Sequence, residues 1–139
     1  MGRQTIKRIL LTGGGTAGHV NPALAIGSAL ATEETCFLFV GVHGRVEEQV
    51  VPREGMPIKY VRASGFPSGI SLKLVGFLLN LLIGVLQSIL ILLRFRPDII
   101  VGTGGYVAAP IIMAAAFLKK IRLSHAQIFI HEQNAVPGL

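Results

Sequence analysis

Apolar residues along the chain fall in short unbroken runs separated by longer mixed stretches. Residues 6–12, 36–41, 58–62, 98–102 and 127–131 have the length of strands, and residues 36–41 read Cys-Phe-Leu-Phe-Val-Gly without a polar break. A strand with no alternation is one buried on both faces, so these runs predict a parallel sheet covered on both sides. Residues 23–31, 45–51 and 106–119 carry helical patterns between the strands, and Pro52 predicts the stop of the second helix. Asn21-Pro22 predicts the start of the first, with Asn as N-cap and Pro at the first helical position. The alternation of strand and helix predicts an α/β fold, a Rossmann-like sheet of order 3-2-1-4-5. No internal repeat or low-complexity linker interrupts it, so the 139 residues are read as one domain with a real core.

The long stretch between strands 3 and 4 is different. Residues 74–93 form a twenty-residue run without a charge, and at about 1.5 Å rise per residue it matches a ~30 Å hydrocarbon layer. Two features argue against a span. Lys73, Asn80, Gly84, Gln87 and Ser88 fall within about a third of the helical circumference. The stretch must also serve as the crossover between two parallel strands, which a span would tear apart. It is read as a crossover helix with more apolar surface than one sheet face can cover. Lys73, Leu74, Phe77, Leu78, Leu81, Leu82, Arg94 and Arg96 are then the candidate contacts of a monotopic membrane surface.

Composition narrows the partners. The formal charge is +6 and charged residues make up only 14% of the chain, which points to an anionic partner. Nucleic acid is disfavoured, because the basic residues are scattered and aromatics are only 6%, too few for stacking platforms. Cys36 is the one cysteine. It lies in an apolar run and is expected in the core, and with no disulfide framework the chain fits a reducing compartment. The basic N-terminus enters a strand within a few residues, so no signal peptide is read.

Candidate chemistry sits where strands end. Gly13-Gly14-Gly15-Thr16-Ala17-Gly18-His19 follows the first strand, Gly102-Thr103-Gly104-Gly105-Tyr106 the fourth, and His131-Glu132-Gln133-Asn134 the fifth. In a sheet of this order ligands bind beyond the carboxyl ends of the strands where the winding reverses, between strands 1 and 4. Glycines there let a bulky oxygenated group approach backbone N–H donors at a helix N-terminus, so the first loop reads as a diphosphate-sized anion site. Residues 13–18 also satisfy the dinucleotide fingerprint. Strand 2, however, ends in Gly41-Val42-His43-Gly44 without the ribose-binding carboxylate, which argues against NAD. No Gly-Lys-Ser/Thr follows either glycine loop, which excludes a P-loop NTPase. His19 is either a loop cap or a base and anion contact, and Thr16 either a phosphate donor or a turn residue. Tyr106 is read as packing or pocket wall. The amide and carboxylate groups after strand 5 suit sugar hydroxyls better than a metal.

These three motifs, in this order and at these strand ends, resemble the MurG family of bacterial GT-B glycosyltransferases over essentially the whole chain. Ala17 stands where the family usually has glycine. The resemblance implies two Rossmann-like domains, of which this chain is the N-terminal acceptor- and membrane-binding one, with the UDP-sugar domain lying outside it. It implies transfer of N-acetylglucosamine from UDP-N-acetylglucosamine to the 4-hydroxyl of the muramoyl sugar of lipid I, giving lipid II with inversion, in peptidoglycan synthesis. No tightly bound cofactor is implied, and divalent metal dependence stays open. His19 is the implied general base, with Glu132 its rival. Gly14, Gly15, Thr16, Ala17, Gly18, Gly104, Gly105, Tyr106, Glu132, Gln133 and Asn134 complete the implied substrate contacts, Asn134 and Thr16 on the donor side. The apolar helix would hold the chain peripherally on the anionic cytoplasmic face of the cell membrane. A second reading is a non-catalytic membrane-associated subunit that recruits a separate nucleotide-binding half.

Overall fold

The structure, a computed structural model, describes residues 5–132. Strand β1 (Lys7–Thr12) lies at the centre, between β2 (Thr35–Gly41) and β4 (Ile99–Gly102). β3 (Ile58–Tyr60) flanks β2 and β5 (Gln127–Ile130) flanks β4, all parallel, in the order β3-β2-β1-β4-β5. This is the predicted doubly covered α/β sheet. Side chains along β1 alternate between two cores. Leu10 joins Leu38 and Ile100 beneath α3 (Leu72–Phe95) and α4 (Ala108–Lys120), while Ile9 and Leu11 join Phe39 beneath α1 (Ala17–Leu30) and α2 (Val46–Arg53). Both faces are therefore apolar, which explains the unbroken runs. In register, Thr12 stands opposite both Val40 and Gly102, and Gly102 opposite Ile130. Strands 1, 4 and 5 thus end level, and the segments that follow them leave from one rim.

Three local expectations are corrected. α1 begins at Ala17, with Thr16 as an extended N-cap, and Pro22 lies inside the helix rather than at its start. The glycine loop is accordingly short, and Ala17, Gly18 and His19 form the first helical turn. Pro52 also lies inside its helix, in the last turn of α2, because the missing N–H there removes only one terminal bond. Cys36 is exposed rather than buried. It sits one pair from the N-terminal end of β2, opposite the exposed Arg8.

α3 is amphipathic in the inverted sense. Its small and polar strip faces the protein: Gly84 and Ser88 are buried, and Asn80 and Gln87 half-buried. A Cβ at Gly84 would collide with the Arg62 carbonyl and stand 3.2 Å from Pro110 Cβ, so only glycine allows this approach. Ser88 Oγ–H donates to the Gly84 carbonyl at 2.6 Å, and Gln87 Oε1 accepts the Arg62 N–H at 2.7 Å, so these two inward side chains are bonded. Most of the leucines point the other way. Val75, Leu78, Leu79, Leu82, Leu86 and Leu90 are each more than half exposed, at helical spacing along the open face. Of the candidate membrane contacts, Leu78 and Leu82 lie on this stripe and Lys73, Arg94 and Arg96 are exposed at its two ends. Leu74, Phe77 and Leu81 do not; they are half-buried, Phe77 meeting Phe66 edge-on at 5.2 Å. By length and composition α3 could cross a bilayer, but its inner face is committed to the sheet and α4.

Candidate functional site

The loops after β1 and β4 interlock. Thr103 N–H donates to the Thr12 carbonyl at 2.9 Å, continuing the sheet by one residue, and buried Thr103 Oγ1–H donates to the His19 carbonyl at 2.5 Å. Gly13 has no Cβ because that space holds the Thr103 hydroxyl. The His19 ring lies against the second glycine loop. A Cβ on Gly104 would stand 3.0 Å from its Nδ1, and one on Gly105 would stand 3.2 Å from its Cδ2 and strike the Gly14 carbonyl. Both glycines also have left-handed φ, +99° and +78°, so shape and backbone each demand glycine.

His19 Nδ1 lies 3.1 Å from the Thr103 carbonyl oxygen. A carbonyl only accepts, so Nδ1 carries the hydrogen, and the lone pair of the neutral ring resides on Nε2. The ring is half-buried, at the mouth of the crevice between β1 and β4. Around it, Thr16, Ala17 and Gly18 are exposed at the N-terminus of α1, the positive end of the helix dipole. Thr16 makes no side-chain capping bond, so its hydroxyl is not spent on the helix. Tyr106 closes one side, with its ring 3.2 Å from where a Gly15 Cβ would be and the Arg45 guanidinium 5.8 Å from its centroid. The Tyr106 hydroxyl is buried and has no partner among the described residues.

One side chain of the site was not foreseen. Glu47, in the first turn of α2, is completely buried, its Oε2 accepting the Gly15 N–H at 3.1 Å and its Oε1 the Val42 N–H at 3.0 Å. Gly14 and Gly41 sandwich it: a Cβ on either would come within 2.5 Å of its side chain. The first glycine loop therefore also serves to hold this carboxylate. Gly14 is buried over the carboxylate and the Gly15 N–H is already committed, so the exposed backbone beside His19 is that of the first turn of α1. The fold-independent signal for Glu47 was slight, an acidic residue at a helix N-terminus, a favoured place on any surface helix. Replacing it by glutamine leaves one acceptor for two N–H donors and sets an NH₂ against the other. We expect Glu47→Gln to cost about 1–3 kcal/mol, read as a lower urea midpoint of the chain with unchanged m-value.

Beside it, the β2–α2 turn carries a second polar group. His43 Nδ1 lies 3.0 Å from Glu48 Oε1, Gly44 N–H donates to Glu48 Oε2 at 2.6 Å, and the His43 ring stacks on Tyr60 at 3.7 Å. The His43 and Gly44 donors hold the Glu48 carboxyl below its ordinary range. Desolvation, with Glu48 and Glu47 adding, pushes the Tyr60 phenol above its ordinary value, so its hydroxyl keeps its proton at neutral pH.

The segment after β5 is described only to Glu132. His131 N–H donates to the Gly102 carbonyl at 2.8 Å, which places it beside the β4 loop. Both His131 and Glu132 are exposed. Gln133 and Asn134 lie outside the described residues. No group of three His, Cys, Asp or Glu side chains suited to a metal occurs among the described residues.

Comparison with known proteins agrees with this geometry. The family profile of the glycosyltransferase family 28 N-terminal domain matches residues 9–139. A UDP-N-acetylglucosamine--N-acetylmuramyl-(pentapeptide) pyrophosphoryl-undecaprenol N-acetylglucosamine transferase of Halothermothrix orenii is 39% identical over 132 residues, covering 95% of this chain and 34% of the relative. The like-named transferase 2 of Bacillus thuringiensis is 41% identical over 134 residues, covering 95% and 35%. The crystal structure of Acinetobacter baumannii MurG superposes with a TM-score of 0.76 at 25% identity, over 96% of this chain and 37% of that one. The chain thus spans about a third of the length of the relatives it matches. With the parallel sheet, the interlocked glycine loops and the profile match in agreement, this chain belongs to the glycosyltransferase family 28 N-terminal domain family.

Proposed function

We propose that this chain is the acceptor-binding half of an inverting N-acetylglucosaminyltransferase acting on lipid I at the cytoplasmic face of the cell membrane. The observation that carries the reading is the His19 ring held between two glycine loops with its Nδ1 on the Thr103 carbonyl. That arrangement leaves Nε2 to accept a proton. In the reaction, the acceptor hydroxyl oxygen attacks the anomeric carbon of the donor sugar as its proton passes to Nε2. The bond from that carbon to the UDP oxygen breaks, and its electron pair leaves with UDP. Attack from the face opposite the leaving group inverts the anomeric centre.

The acceptor's diphosphate belongs at the N-terminus of α1, where backbone N–H groups and the Thr16 hydroxyl converge. Tyr106 supplies a further donor beside Gly15. The open leucine face of α3, with basic residues at both ends, holds the chain on an anionic leaflet where a polyprenyl tail is embedded. The donor nucleotide is held by a second domain, as in the resemblance to GT-B enzymes.

The test is reconstitution. The chain is mixed with the matching second domain and assayed for transfer from UDP-N-acetylglucosamine to a short-chain lipid I analogue. Transfer should require both pieces, and the chain alone should bind the analogue. A chain that binds no analogue and restores no transfer would end this reading.

A further inference from the structure

A cavity of about 410 Å³ opens beside the glycine loop, at the carboxyl ends of β2 and β3 and against the inner face of α3. Its walls include Val42, His43, Tyr60, Arg62, Asn80 and Gln87. Asn80 and Gln87 bring the polar strip of α3 to this cavity, while Gly84 and Ser88 pack deeper. Several of these side chains can donate hydrogen bonds. The Arg62 guanidinium and the Asn80 amide have no partner among the described residues. Gln87 accepts the Arg62 N–H through Oε1, which leaves its NH₂ as a donor. Tyr60 keeps its hydroxyl proton, and the nearby Glu48 carboxylate is already engaged by His43 and the Gly44 N–H. An unpaired guanidinium with amide and hydroxyl donors suits a ligand rich in acceptors, carboxylate and peptide carbonyl above all.

The cavity's position relative to the reacting site is also set. Val42 and Gly15 donate to the two oxygens of one carboxylate, Glu47, so the mouth of the cavity adjoins the glycine loop that leads into the His19 turn. A peptide of five residues extends up to about 17 Å, enough to run from that loop along the cavity to α3. Resting on the function proposed above, we infer that this cavity binds the peptide branch of the acceptor, with Arg62 pairing to a peptide carboxylate and Asn80 and Gln87 bonding its backbone. Diphosphate and peptide would then leave the sugar in two directions from one loop, orienting its hydroxyl towards His19.

The test uses backbone amide NMR of the chain titrated separately with N-acetylmuramyl-pentapeptide, the same compound with its carboxyls amidated, inorganic pyrophosphate and UDP. The free-carboxylate peptide should shift Val42, Tyr60 and Asn80, and amidation should weaken its binding roughly tenfold, as for one lost charge-assisted contact. Arg62→Gln, an exposed position, should abolish that discrimination and leave the pyrophosphate shifts at residues 16–19 unaltered. Pyrophosphate shifts at residues 16–19 without peptide shifts at the cavity would overturn this inference and leave the proposed function standing. Silence at both places would remove both. Equal binding of free and amidated peptide, or UDP shifting the cavity as strongly as the peptide, would reassign it to another ligand.

Discussion

His19→Ala, made in a two-domain enzyme that carries this chain, lowers kcat by roughly 10²–10⁴-fold, the range of a lost general base. KM for the acceptor changes much less, because the diphosphate donors are backbone groups and Thr16, which the substitution does not touch. The fold survives it. The ring is only half-buried, and the loop-to-loop contacts that pin residue 19 run through its carbonyl to Thr103 Oγ1, which alanine retains. His19→Gln sharpens the measurement, since its amide can still meet the Thr103 carbonyl but offers no basic nitrogen. Steady-state transfer with a lipid I analogue, together with the thermal midpoint of each variant, separates chemistry from folding. A kcat loss under tenfold would reduce His19 to a strut between the glycine loops and turn attention to Glu132.

Leu78→Glu with Leu82→Glu releases the chain from anionic vesicles. Both side chains are more than half exposed, at 53% and 56%, so the substitutions remove little from the core and the urea midpoint should hold. Each leucine in contact with acyl chains contributes about 1.5–3 kcal/mol, and each glutamate adds repulsion from an anionic surface. The partition coefficient should fall at least about 100-fold in vesicle sedimentation. Leu81→Glu is the contrasting variant. Leu81 is half-buried in a small apolar cavity with Phe66, Phe77 and Met113, so its replacement should lower stability as well. Undiminished binding by the double variant would refute the membrane role of the open face.

Much of the architecture was legible in the chain because burial on both faces writes a simple signal. Unbroken runs such as Leu38-Phe39-Val40 have a core on either side, and their alternation with helical stretches admits few sheet orders. The rim was legible for the same reason, since a sheet of that order brings the ends of strands 1 and 4 together wherever the loops are glycine-rich. The start of α1 was not. Asn21-Pro22 is a sound local start signal, but packing of the His19 turn against Thr103 and Gly104 draws the helix five residues further towards its N-terminus.

By itself, then, the amino-acid pattern determined the sheet, its order, and the presence of two glycine loops with a histidine at its rim. Tertiary structure alone decided what each glycine is for: Gly13 yields to Thr103, Gly14 and Gly41 to a buried Glu47, Gly104 and Gly105 to the His19 ring. It also decided that α3 turns its polar strip inward and a stripe of leucines out. The physical reason is common to all of these. Periodicity records whether a side chain is buried, whereas the room left for a missing Cβ, and the face that a helix presents, depend on how closely two backbones distant in the chain approach.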